Sequence, residues 1–148
     1  MEELIERLEL EGLKLTSIPK RSFAFLIDDL IVSLLLFLAF YSSFANAKSM
    51  EEILVITNSL FIYIVFLKVV YHTFFVWQYG ATMGKMLFGM IVVDEETFQK
   101  LNFSKSLTRA VVRFFSEALF YLGFLWGVLN PTRQTWHDKA CGSIVIDV

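Results

Sequence analysis

Three groups of charged residues stand where the chain is otherwise apolar, and each could do chemistry in a membrane. Arg21, Asp28 and Asp29 share the first apolar run. Arg21 and Asp28 are seven residues apart and so lie on one helical stripe, whereas Asp29 points about 100° away. A charge at mid-bilayer costs roughly 2.5–3.5 kcal/mol on insertion scales, so it must be paired, hydrated or protonated. Two readings follow. One is an ion or proton site; the other is a buried ion pair that fixes helix packing, with Arg109 or Arg113 as the cation. Lys68 and His72, four apart with Tyr71 beside them, share one face of the second apolar run. They could relay protons toward the aspartates, with His72 titrating near neutrality. The plain alternative is a snorkelling lysine and a histidine making one hydrogen bond. Arg109, Arg113 and Glu117 recur at intervals of four and form one charged stripe, with Arg113–Glu117 a local ion pair. That stripe could neutralise Asp28 and Asp29, receive an anionic lipid headgroup, or lie solvated at the interface.

Two further motifs carry less. Gly80-Ala-Thr82-Met-Gly84-Lys85 has three residues between its glycines and Met86 after the lysine. A Walker loop needs four and a Ser or Thr, so this is a tight turn whose amides and Lys85 could hold a lipid phosphate. His137-Asp138 has no companions at metal-ligand spacing, and Cys141 is the single cysteine, so no metal and no internal disulfide are expected. No nucleophile–base–oxyanion set and no cofactor motif is visible. The expectation is a protein that is not an enzyme and carries no cofactor.

The elements that must position these residues are long apolar helices. The chain has 148 residues, enough for one domain, and 56% of them are hydrophobic. Distribution decides the class. Between Ser22 and Ala47 the only charges are Asp28 and Asp29, and between Ile53 and Tyr79 the only one is Lys68. Each stretch exceeds the ~20 residues that cross a hydrocarbon core of about 30 Å. Two membrane spans are predicted, joined by a short polar link, with Ser49-Met-Glu-Glu52 as a capping box opening the second. Trp77 and Tyr79 close it as interfacial aromatics.

Lys20 and Arg21 precede the first span; Lys85, Lys100, Lys105 and Arg109 follow the second, against Lys48 alone in the link. Positive residues favour the inside, so the N-terminus is placed in the cytoplasm. The segment 1–17 is acidic at its start, unlike a secretory leader, and reads as an amphipathic interfacial segment. Its acidity implies that the first span is retained. The membrane domain occupies 18–148. A third apolar stretch, 107–130, contains Arg109, Arg113 and Glu117 and is followed by Arg133 and Lys139. It is predicted to be a helical hairpin that dips in and returns, with a third span as the alternative. Ile91-Val-Val-Asp94 and Ile144-Val-Ile-Asp147 read as two short strands of a cytoplasmic β element. Gly123-x-x-x-Gly127 permits close helix approach within the bundle. The net charge of −2 argues against a nucleic-acid partner. The expected fold is therefore an all-α membrane protein with a small β element.

Arg21-Ser-Phe-Ala24-Phe-Leu-Ile27-Asp28 resembles the opening motif of the RDD family, named for one arginine and two aspartates. Gly80-x-Thr82-x-Gly84-Lys85, followed by Gly89 and Val92-Val93-Asp94, resembles its central segment. Arg109 and Arg113, then Gln134-x-x-His137-Asp138-Lys139 and Ser143-Ile-Val-Ile146, resemble its C-terminal portion. The resemblance covers about residues 18–148; Asp29 duplicates the first acidic position, and the register with Arg21 and Ala24 assigns the family's role to Asp28. It implies a multi-pass protein of the prokaryotic inner membrane, in a family often taken for transporters and with some members described as cation/proton antiporters. The expected partners are then the lipid bilayer, anionic lipids, protons and monovalent cations. A chain this short would need to act as a homo-oligomer to enclose a pathway. The second expectation, from another class, is a non-transporting accessory or lipid-binding scaffold.

Overall fold

The computed structural model describes residues 2–119 and 122–148. An N-terminal helix α1 (Glu2–Leu10) and a two-residue strand β1 (Lys14–Leu15) lead into the long helix α2 (Ile18–Ala39). Two short helices, α3 (Tyr41–Ala45) and α4 (Met50–Ser59), connect it to a second long helix, α5 (Phe61–Tyr79). There follow α6 (Met83–Leu87), β2 (Met90–Asp94), α7 (Phe103–Ala118), α8 (Leu122–Leu129), α9 (Trp136–Ala140) and β3 (Ser143–Asp147).

α2 and α5 are the two helices long and apolar enough to cross a membrane, at 22 and 19 residues. At 1.5 Å per residue they measure about 33 and 28 Å. Pro19, which would break a helix interior, sits in the first turn of α2, where a missing N–H costs nothing. α5 stops at Gly80, whose φ of 74° is the left-handed conformation that closes a helix, its N–H bonded back to Val76. The helices end earlier than the apolar stretches suggest. The first span stops at Ala39, with Tyr41–Ala45 a separate turn, and the second stretch divides at Leu60. Ser49 accepts the Glu52 N–H as its spacing implied, but the helix it caps is α4 and not the second span, and Glu52 accepts the Lys48 N–H instead of completing the box.

The burial pattern is inverted relative to a soluble protein. α2 turns Arg21, Ala24, Asp28 and Val32 inward and leaves Phe23, Leu26, Leu30, Leu34 and Leu38 exposed. α7 is capped by Asn102, which accepts the Lys105 N–H. It buries Ser106, Arg109, Ala110, Arg113 and Ser116 and shows Phe103, Leu107, Val111 and Phe115 outward. Such a helix is stable only where the outside is lipid and the inside offers partners for its charges. The axes of α7 and α8 lie 103° apart, so the pair counts as a third span only if this bent unit crosses as one.

The two expected strands pair antiparallel, Ile91 opposite Ile146 and Val92 opposite Val145, and β1 adds to the far edge to give the order β1-β3-β2. α1 folds onto this sheet, with Leu8 buried among Val93, Ile144 and Ile146. β1 enters α2 and β2 follows α5, so α2 begins and α5 ends on the side of the sheet, as an antiparallel hairpin.

Gly84 sets how closely α6 approaches α2. A Cβ there would stand 2.2 Å from the Ala24 carbonyl oxygen, a backbone atom that cannot step aside. Gly84→Ala is therefore expected to cost about 1–3 kcal/mol as an overpacking change. Thermal unfolding in detergent reads that loss, and an unchanged melting curve would contradict the close approach. Gly123 is equally confined, against Ser116 Oγ at 2.2 Å, so its role is internal packing of α8 on α7.

Candidate functional site

The polar side chains of α2, α5, α6, α7 and α9 assemble into three connected networks. In the first, Asp28 is 0% exposed and takes three hydrogen bonds from neutral donors. Tyr71 Oη donates to Oδ1 at 2.9 Å, the Gly84 N–H donates to Oδ1 at 2.8 Å, and Thr82 Oγ1 donates to Oδ2 at 2.6 Å. Tyr71 Oη in turn accepts the Met83 N–H, and the Lys85 ammonium donates to Thr82 Oγ1 at 3.4 Å. Among the described residues no cation lies within ion-pair distance of Asp28. The tight Gly80–Lys85 turn thus spends an amide on a carboxylate of the same chain. Lys85 is buried, so it faces inward and away from any headgroup. Burial, then the like charges of Arg113 and Arg109, pull it well below the ordinary lysine range.

The second network centres on Asp138. Arg21 and Arg109 both donate to its carboxylate, one oxygen each. The Thr135 N–H and Oγ1 donate to it as well, and Thr135 Oγ1 accepts the Asp138 N–H, which completes the capping box that opens α9. Arg21 also reaches the Arg133 carbonyl at 2.6 Å, and Arg109 reaches Ser143 Oγ at 3.3 Å. Burial works against the Asp138 charge, but the two guanidiniums outweigh it and hold the carboxyl well below its usual range. His137 is pushed below its usual value by burial, with Thr135 Oγ1 2.9 Å from its Nε2.

The third network runs along the outer wall. Lys68 Nζ lies 2.6 Å from Asp29 Oδ1 and 3.1 Å from Glu117 Oε2, and Arg113 Nε lies 3.1 Å from Glu117 Oε1. Arg113 also covers the rings of Phe25 and Phe124, 5.0 and 5.8 Å from their centroids.

Several expectations are corrected by this arrangement. Arg21 does share a stripe with Asp28, but its guanidinium goes to Asp138, 117 residues away in sequence. Neither Arg109 nor Arg113 pairs with Asp28 or Asp29; they serve Asp138 and Glu117. Both arginines are buried, so they point away from headgroups. Lys68 and His72 share a face, but Lys68 bends to Asp29 and Glu117, while His72 Nδ1 is buried with no hydrogen-bond partner among the described residues. His137-Asp138 is no isolated pair, since Asp138 takes four hydrogen bonds, the most of any buried carboxylate among the described residues. The remaining motif residues make the following contacts. Ala24 and Gly84 form the α2–α6 contact. Gly80 and Gly89 turn with positive φ, and Asp94 binds Lys105 and the Glu96 N–H. Gln134 donates to the Ser143 carbonyl and to Glu95. Tyr71, read from the sequence only as a neighbour of Lys68 and His72, and Thr135, which spacing did not single out, prove to be direct partners of the two buried aspartates. Among the described residues no group of three or more His, Cys, Asp and Glu could hold a metal ion.

Two antiparallel apolar helices enclosing a charged interior, closed at one end by a three-stranded sheet, define an integral membrane protein with a polar core. The RDD family model matches residues 15–142, and the chain belongs to the RDD family. The chain is similar to a proline-rich antigen homolog of Mycobacterium tuberculosis (strain CDC 1551 / Oshkosh), at 28% identity over 51% of this chain and 34% of that protein. The proline-rich antigen of Mycobacterium leprae (strain TN) is 27% identical over 51% of this chain and 33% of its own length. An uncharacterized protein of Rickettsia prowazekii (strain Madrid E) is 30% identical over 47% and 39%. The chain spans about a third of the length of the mycobacterial relatives it matches. No solved structure matches it at a significant level.

Proposed function

We propose that this protein is an oligomeric transporter, not an enzyme, that exchanges a monovalent cation for protons, with Asp29 as the carboxylate for which the two compete. The observation that carries the reading is the position and bonding of Asp29. It lies near the middle of α2, its side chain is 41% exposed, and it holds only Lys68 among the described residues. Exchange there balances simply: the protonated carboxyl gives up H⁺ as the cation takes its place on the carboxylate. Lys68 need not be stranded when Asp29 changes partner, because Glu117 already shares its ammonium at 3.1 Å. A lysine with a second carboxylate in reach can release the first without leaving a bare charge in a dry interior. The surplus of Lys and Arg at the sheet end of the spans supports placing that end, with the N-terminus, in the cytoplasm of a prokaryotic inner membrane.

A second reading rests on the Asp28 network. Its bonds tie α2, α5 and α6 together, which suits a non-transporting scaffold equally well. Reconstitution separates the two. In proteoliposomes carrying a pH gradient, addition of Na⁺, K⁺ or Li⁺ should dissipate the gradient, and Asp29→Asn should abolish that response while the protein still folds. Absence of flux from correctly inserted, folded protein would sink transport and favour the scaffold.

A further inference from the structure

The Asp29–Lys68–Glu117 chain poses a solvation problem that one copy of the protein does not solve. Asp29 is eleven residues from the start of α2 and ten from its end, or about 15 Å from either surface at 1.5 Å per residue. A carboxylate on a single methylene cannot snorkel that far, unlike a lysine or arginine. Its side chain is nevertheless 41% exposed, and that of Lys68 is 22% exposed. The surroundings are lipid-facing: Leu26 and Leu30 flank Asp29, each exposed by more than half. Neither the apolar groove lined by Val69, Val70, Phe74 and Trp77 nor the crevice beside Arg21 and Val128 reaches Asp29 to bring water. Hydrocarbon against this carboxylate would cost roughly 2.5–3.5 kcal/mol per chain.

We infer that a second copy of this chain covers the opening, so that Asp29 of one protomer meets Lys68 of its partner across a two-fold axis. The patch suits a second copy because it carries both signs, one carboxylate and one ammonium 2.6 Å apart. A two-fold axis brings each charge of such a patch against its opposite, the self-complementarity an isologous interface requires. The α2 surface that meets the partner is Ser22, Leu26, Asp29 and Ser33, spaced four, three and four residues apart and so on one face. Two of these four are serines, small enough for close approach of helices in lipid. The inference deepens the transport reading by supplying the second wall of the exchange site, and it rests on that reading only for the site's use; the interface itself follows from the exposed charge.

Cysteine cross-linking in native membranes tests it, in a Cys141→Ala background. Leu26→Cys and Ser33→Cys are each expected to give a disulfide-linked dimer on mild oxidation. Leu34→Cys, about 140° round the helix from Asp29, is expected to give none. Adding Asp29→Asn to Leu26→Cys should reduce the dimer, whereas Asp28 is sealed inside one copy and plays no part. Dimer from Leu34→Cys alone, or from no position, overturns the interface. So does labelling of Asp29→Cys by a membrane-impermeant maleimide without cross-linking, which would reveal a water-filled crevice. Flux without these cross-links overturns the interface and spares transport. Cross-links without flux spare the interface and overturn transport.

Discussion

Asp138→Ala is expected to be the most damaging single substitution outside the spans, costing about 3–5 kcal/mol of stability, the range found when one partner of a buried ion pair is removed. The carboxylate is fully buried and neutralises two guanidiniums at once, those of Arg21 and Arg109. Its loss leaves both cations in the interior without a counter-charge. The same change removes the acceptor for the Thr135 N–H, so α9 loses its cap, typically about 1 kcal/mol more. Asp138→Asn should fall between the two, keeping an oxygen for the cap but not the charge. Thermal unfolding in detergent at neutral pH reads the series, and a melting temperature for Asp138→Ala close to wild type would refute the shared contact.

The same pair fixes the sign of a pH effect. Asp138 has its carboxyl held well below the usual range by the arginines. Its stabilising contribution is therefore fully present above the ordinary carboxylate value of about 4 and is lost only as pH falls through the lower folded value. Moderate acidification should leave this contact intact, so Asp138→Ala must lower stability equally at pH 7 and pH 5.

Why this hub escaped the sequence is a matter of what periodicity encodes. The 3.6-residue period tells which side of a helix a residue takes, and it placed Arg21 and Asp28 on one stripe correctly. It does not say which distant segment fills the space opposite that stripe. The partner of Arg21 sits on a five-residue helix at the other end of the chain, where the sequence shows only a His-Asp pair. The spans were legible because a run of more than twenty residues with only one or two charges has few other uses. The two strands were legible from their β-branched runs, and their pairing follows from needing each other's backbone. β1 was not, because two residues carry no period and their strand state depends on the edge that β3 offers. The division of the second stretch at Leu60 has no proline or glycine to announce it. The Ser49 cap was legible as one residue's own geometry, whereas the Gly80 stop and the close approach at Gly84 were not singled out, because the Gly80–Lys85 segment read only as a tight turn.

Asp28→Ala is expected to lower stability by about 3 kcal/mol or more, because each buried donor left without an acceptor costs about 1–3 kcal/mol. Three lose theirs: the hydroxyls of Tyr71 and Thr82 and the N–H of Gly84. Asp28→Asn is no gentle version of this change. The side-chain amide would turn an NH₂ toward at least one of the same donors, so it too should unfold early, and a lost activity in that variant would say nothing about ions. Tyr71→Phe, which removes one donor and leaves the carboxylate two, should cost nearer 1 kcal/mol. Asp29→Asn should shift melting least, since its carboxylate is 41% exposed and Lys68 keeps Glu117. Measured together in detergent and in proteoliposomes, the four variants separate a tether from an exchange group. A tether loses stability in proportion to the donors it strands, while an exchange group loses flux with its melting curve preserved. Should Asp28→Ala keep its stability and lose flux, while Asp29→Asn keeps both, the roles assigned to the neighbouring aspartates reverse. The exchange site would then lie in the sealed interior beside Thr82 and Lys85, reachable only if α6 swings away from α2.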